Sequence, residues 1–272
     1  MTQAQSRSLD VLRLARAGGY AVAAFNAVNL ETAQAIVQAA EAQGAPVILQ
    51  FSQNAARYAG LHALAAIGTV LRADVRVPVL LHFDHAEDED AAGLALDLGF
   101  DGVMLEGDDL DAVARLAERA HLQGGYLEAE YEVVGKGERA AQTHDQLDDL
   151  ARFVQVTCCD LLAVNIGSVH RQPEKTAHLD LDRLARIASL TPLPLVLHGA
   201  SGVPEAQLAE AARGGVSKVN LATDLTLTFT DAVRNRLEQG ANDPRVYLDA
   251  GRQAMQARAE QYIRLLGSAG RA

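Results

Sequence analysis

An aspartate followed directly by a histidine, Asp84-His85, closes the apolar run Val79 to Phe83. A carboxylate beside an imidazole suits a metal ligand with an acid/base group next to it. Neighbouring side chains on a strand point to opposite faces. A strand ending near Asp84 would let both groups turn into one cleft. His82, Asp84 and His85 could equally form a satisfied polar cluster at a strand end, so this stretch alone leaves both readings open.

Similar groups follow other apolar runs. Glu128 and Glu130 close one, Gly167-Ser168-Val169-His170 follows a second, and His198-Gly199-Ala200-Ser201-Gly202 ends a third. Asn220 ends a fourth, with Thr223 and Asp224 after it. His85, His170 and His198 are three of eight histidines, too far apart for a local zinc motif. Brought to one rim, three neutral imidazoles would leave a fourth position open on zinc, as in a catalytic site. The backbone amides of Gly199 to Gly202 and of Asn220 to Thr223 are candidates for an anion-binding nest, which needs no basic side chain. Glycines of this kind can also serve only to shape turns.

The elements that must position these groups alternate throughout the chain. Strands are expected at Tyr20–Phe25, Pro46–Phe51, Val77–Phe83, Gly102–Leu105, Gly125–Ala129, Leu161–Ile166, Pro194–His198 and Val216–Leu221. Helical patterns separate them: Ser8–Gly18, Leu30–Gln43, His62–Leu71, Asp88–Leu98, Leu110–Gln123, Gln146–Val156, Leu181–Ser189 and Pro204–Arg213. Two more, Leu225–Glu238 and Asp249–Leu266, close the chain. Asn29 can cap the second helix, and Gly44 can end it. The polar stretch from Glu130 to Asp145, with Gly135 and Gly137, is longer than most connections and reads as an active-site loop. Eight strand–helix units in 272 residues predict an α/β fold, a (β/α)8 TIM barrel forming one domain over residues 1–272. An open dinucleotide-binding sheet would carry a G-x-G-x-x-G turn after its first strand. Phe25-Asn26-Ala27-Val28-Asn29 has no glycine.

Composition excludes several classes. The net charge of −11, without a basic patch, argues against nucleic acid as a partner. No apolar run approaches a membrane span of about 20 residues, and the polar N-terminus lacks a signal core. Cys158 and Cys159 are adjacent, without C-x-x-C spacing, and read as small buried residues in a reduced, cytoplasmic protein.

Taken together, these motifs resemble the class II, metal-dependent ketose-bisphosphate aldolases, including the tagatose-bisphosphate branch. The resemblance runs from Ala24-Phe25-Asn26 and Asn29-Leu30-Glu31-Thr32 through His82-Phe83-Asp84-His85 to Leu197-His198-Gly199-Ala200-Ser201-Gly202. It continues in Lys218-Val219-Asn220-Leu221-Ala222-Thr223-Asp224 and Gly267-Ser268-Ala269-Gly270. It implies a lyase of carbohydrate metabolism (glycolysis) that reversibly cleaves a fructose- or tagatose-bisphosphate-like ketose. The products would be dihydroxyacetone phosphate and an aldehyde, formed through a zinc-stabilised enediolate. One Zn2+ per chain would sit on His85, His170 and His198, with Asp84 as the acid/base. Gly199, Ala200 and Ser201, with Asn220, Leu221, Ala222 and Thr223, would hold the dihydroxyacetone-phosphate half, Asn220 contacting an enediolate oxygen. A further monovalent cation or second metal position, the latter near Glu130, and a homodimer or homotetramer are also implied.

The sequence departs from the family pattern where substrate identity is set. Arg171 replaces the usual glycine after the second zinc histidine; it can turn inward onto an anionic group, the expected fate, or outward onto a surface acid such as Glu174. Leu105-Glu106-Gly107-Asp108 replaces Ile-Asp-Gly-Ser, and Val134-Gly135-Lys136-Gly137-Glu138 only approximates the usual loop. Two alternatives remain: a non-catalytic paralogue that binds a phosphosugar or metal, and a barrel zinc hydrolase. The hydrolase would normally show a His-x-His pair after the first strand, which Phe25-Asn26-Ala27 lacks.

Overall fold

The protein is described by a computed structural model covering residues 3–131, 147–168 and 175–272. Parallel strands β1 (Val22–Asn26), β2 (Val47–Ser52), β3 (Val79–Ala86), β4 (Gly102–Leu105), β5 (Tyr126–Glu130), β6 (Leu161–Ala163), β7 (Leu195–Leu197) and β8 (Val216–Leu221) close into a barrel in sequence order. The helices are α1 (Gln3–Gly18), α2 (Leu30–Gln43), α3 (Gln53–Ala59), α4 (Leu61–Ala73), α5 (Glu89–Asp97) and α6 (Leu110–Gln123). They continue with α7 (Leu150–Thr157), α8 (Leu181–Leu190), α9 (Glu205–Arg213), α10 (Thr223–Glu238) and α11 (Pro244–Leu265). The expected (β/α)8 barrel is therefore the observed one. No helix among the described residues is long and apolar enough to cross a membrane.

Local chemistry accounts for much of this. The Asn29 side chain accepts from the Thr32 amide while the Thr32 hydroxyl accepts from the Asn29 amide, a reciprocal cap that starts α2. Gly44 ends the helix in the left-handed region at φ 55°. The strands are apolar and almost wholly buried, as parallel strands covered on both faces must be. At the N-terminal end of the barrel, Leu12 and Ala15 of α1 pack with Tyr20 against the interior residues Val22, Ile48, Leu80 and Val196. The Arg16 guanidinium anchors α1 by donating to the carbonyls of Ala188, Thr191 and Leu193.

Tyr126 crosses the interior and stacks on His82, with ring centroids 5.6 Å apart. Only glycine fits opposite it, because a Cβ on Gly102 would lie 2.1 Å from the Tyr126 ring. Gly102→Ala is therefore expected to destabilise the fold by about 1–3 kcal/mol through overpacking, read by urea unfolding. Wild-type stability in that variant would show that Tyr126 can yield at little cost. Burial holds the Tyr126 hydroxyl well above its ordinary pKa and His82 well below its own, so His82 is a neutral ring in the barrel wall.

Several local expectations differ from what is observed. Helix α3 is seven residues long and is capped by Ser52, whose side chain accepts from the Ala55 amide; it is too short to show a periodic stripe. Strand β3 does not end near Asp84 but continues to Ala86 through an irregularity between Phe83 and Ala86. Cys158 is exposed at the end of α7, and only Cys159 is buried, its thiol pushed up to about 11.

Candidate active site

A cleft of about 530 Å³ opens at the C-terminal ends of the strands. This is where a barrel gathers its functional groups. Strand β1 contributes Asn26, β2 contributes Ser52, and β3 contributes Asp84 and His85. The turn after β7 adds Gly199 and Ser201, and the end of β8 adds Asn220, Ala222 and Thr223.

Asp84 and His85 face the same cleft because β3 bulges there. His85 takes φ 54°, one of two non-glycine residues with positive φ among those described. A bulge with one left-handed residue re-aims a side chain that regular alternation would send to the opposite face. Such a backbone costs of order 1–3 kcal/mol and persists where the surroundings impose it.

The carboxylate of Asp84 is nearly buried, only 4% exposed. Asn26 Nδ2 lies 3.4 Å from its Oδ2, and Asn220 Nδ2 lies 3.5 Å from its Oδ1. Gln50 Nε2 donates to Asn26 Oδ1 at 3.2 Å, extending the chain of amides into the barrel. Among the described residues no lysine or arginine pairs with Asp84, so its oxygens face neutral donors and the cleft. His85 Nε2 stands 3.7 Å from Asp84 Oδ2, while its Nδ1 is 2.7 Å from Glu106 Oε1.

His198 is fully buried behind His85, the two rings edge-on with centroids 5.1 Å apart. Its Nε2 lies 2.7 Å from Glu128 Oε1. The other oxygen of Glu128 accepts from Lys218 Nζ at 2.6 Å. Two of the three predicted histidines thus meet at one rim. His170 and Arg171 lie outside the described residues, as does most of the Glu130–Asp145 stretch. Among the described residues no three His, Cys, Asp or Glu side chains converge as a metal set. The pair that does meet carries the donor chemistry a zinc ion uses. Each imidazole has a carboxylate on one ring nitrogen, the arrangement that orients a ligating histidine toward a metal.

The backbone expected to hold an anion lies at the same end of the barrel. Gly199 is left-handed at φ 65° and leads into a short 3-10 turn, Ala200–Gly202. Thr223 begins α10, whose N-terminus has no side-chain cap. Helix N-terminal amides left without a cap attract anions. Gly199, Ser201, Asn220, Ala222 and Thr223 line the cleft, whereas Ala200 and Leu221 pack into the core. Glu130 ends β5 and is half-buried.

Asn26, Gln50, Ser52 and Lys218 were not picked out as site residues from sequence. A signal existed for two of them. Gln50 and Lys218 are polar residues inside otherwise apolar strands, at positions that alternation turns inward.

A family profile described as class-II fructose-bisphosphate aldolase matches residues 6–271. A fructose-bisphosphate aldolase from Thermus caldophilus is 38% identical, over 97% of this chain and 98% of its own. One from Streptococcus pneumoniae serotype 4 is 36% identical, over 96% and 97%. Among solved structures, the YdjI aldolase from Escherichia coli K12 superposes with a TM-score of 0.83 at 28% identity, covering 97% of this chain and 98% of that one.

Proposed function

The chain belongs to the class-II fructose-bisphosphate aldolase family and is an aldolase, a carbon–carbon lyase, and we propose that it reversibly cleaves a ketose of the fructose- or tagatose-bisphosphate kind to dihydroxyacetone phosphate and an aldehyde. The observation that carries this reading is the bulged end of β3. It sets Asp84 beside His85, opposite His198, in a cleft flanked by the left-handed Gly199 turn and the uncapped start of α10.

His85, His198 and His170 would hold one zinc ion. With Glu106 on His85 Nδ1 and Glu128 on His198 Nε2, the ligating nitrogens would be His85 Nε2 and His198 Nδ1. When bound, zinc supplies Lewis-acid polarisation of the ketose carbonyl and charge to stabilise the enediolate left by bond cleavage. Asp84 takes the proton of the aldehyde-half hydroxyl as the bond breaks and returns it in the condensation direction. Asn220, which reaches Asp84 from β8, offers its amide to an enediolate oxygen. The amides from Gly199 to Ser201 and from Asn220 to Thr223 hold the phosphate of the dihydroxyacetone half. Lys218 does not serve as a Schiff-base nucleophile. It is fully buried and donates to Glu128, so its nitrogen is not presented to the cleft as such chemistry needs.

Family membership sets aside the barrel hydrolase. A non-catalytic paralogue would be expected to have lost Asp84 or a ligand histidine, and the sequence retains them all. A second metal or monovalent-cation position, a homodimer or homotetramer and a cytoplasmic location complete the proposal.

The purified protein is expected to carry about one zinc per chain, held with an open coordination position. Stringent chelation should abolish cleavage of fructose or tagatose bisphosphate, and added zinc should restore it. Activity that survives chelation and is lost on borohydride trapping with substrate would overturn the proposal in favour of a lysine Schiff base.

A further inference from the structure

Beneath the cleft, an acid and a base are buried where neither proton transfer nor anion binding uses them. Glu128 on β5 and Lys218 on β8 are both fully inaccessible, with Lys218 Nζ 2.6 Å from Glu128 Oε2 and His198 Nε2 2.7 Å from Glu128 Oε1. We propose that this pair is a positioning device: the carboxylate held by Lys218 fixes the proton of His198 on Nε2 and so presents the Nδ1 lone pair to the metal. The proposal rests on the reading of His198 as a metal ligand.

The argument follows from donors and acceptors. An ionised carboxylate can only accept, so the short contact with His198 requires Nε2 to carry the proton. A neutral imidazole protonated on Nε2 has its lone pair on Nδ1, the form that can ligate. Lys218 can only donate, and it occupies the other oxygen of Glu128. The carboxylate is thereby pinned at both oxygens, with one kept for His198. His82 Nε2 lies 3.6 Å from Oε2, beyond hydrogen-bond range, and does not compete.

A buried ion pair could instead serve only to fill the barrel, and Glu128→Gln separates the two roles. In that variant Lys218 still demands an acceptor and draws the amide oxygen to itself. The amide nitrogen then faces His198 and requires Nε2 to accept, which puts the proton on Nδ1. Removing the lysine as well, in Glu128→Gln/Lys218→Met, frees the amide to turn its oxygen back to His198.

The test has two readouts. Two-bond 1H–15N NMR on the metal-stripped protein gives the tautomer of His198, and competition with a chromophoric chelator gives the zinc Kd. Wild type should show the proton on Nε2. Glu128→Gln should show it on Nδ1 and bind zinc roughly 10–100-fold more weakly, as loss of an outer partner of a ligating histidine typically does. The double variant should regain the Nε2 tautomer and most of the affinity. A wild-type His198 protonated on Nδ1 overturns the proposal, and this measurement requires no variant to fold. So does a Glu128→Gln protein with wild-type tautomer and affinity, or a double variant no better than the single one. A wild type with the expected tautomer that binds no zinc overturns the ligand reading, and the proposal with it, by a distinct signature.

Discussion

Replacing Asp84 with alanine is expected to lower carbon–carbon cleavage roughly 10²–10⁴-fold, the usual contribution of a positioned acid/base group, while leaving zinc content near that of the wild type. The carboxylate lines the cleft, has the amides of Asn26 and Asn220 at 3.4 and 3.5 Å and His85 Nε2 at 3.7 Å, and has no lysine or arginine on it among the described residues. Under the proposed mechanism it exchanges a proton with a substrate hydroxyl, and no described lysine or arginine ties it into an ion pair. His85→Ala should lose cleavage too, but through the metal, since it removes the imidazole that faces His198. Measuring zinc per chain beside kcat for both variants separates the roles. If both proteins lose zinc equally, Asp84 is a ligand or a support for one, and its assignment as the acid/base fails.

The largest effect on stability is expected away from the reacting groups. Lys218→Met leaves Glu128 as an uncompensated charge in the barrel interior, and breaking a buried pair from one side costs about 3–5 kcal/mol. The urea midpoint should fall accordingly, and the melting temperature by on the order of 10 °C for a chain of this size. Glu128→Gln/Lys218→Met removes both charges and should recover much of the loss, because an apolar or neutral replacement of a whole buried pair is often tolerated. A single Lys218→Met variant as stable as the wild type would mean that water or another cation reaches Glu128, contrary to the zero exposure of both side chains.

The sequence by itself determined the elements and their order, because those depend on neighbours a few residues apart. The Asn29–Thr32 cap and Gly44 bound α2 at the residues expected from them, and Gly102–Leu105, Leu110–Gln123 and Val216–Leu221 fall where their apolar patterns place them. Eight alternations then leave few ways to bury the parallel strands other than a closed barrel. That Asp84, His85, Gly199 and Asn220 would gather at the C-terminal rim was legible for the same reason, since strand ends share one face of such a barrel.

The partners of those groups were not legible, because closure sets them across long separations. Glu128 meets His198 across 70 residues and Lys218 across 90, and no local pattern records either distance. Helix α3 escaped notice because seven residues are too few for a periodic signal, so the cap at Ser52 was unread and the place of Ser52 in the cleft with it. The simultaneous inward turn of Asp84 and His85 was read as a strand end. It is instead a bulge inside a longer strand, with His85 at φ 54°. Alternation along a regular strand would have sent these two side chains to opposite faces. Only the pairing of β3 with β4 decides that it does not, because the extra residue is accommodated by the register between the two strands and by nothing in the order Phe83-Asp84-His85-Ala86 itself.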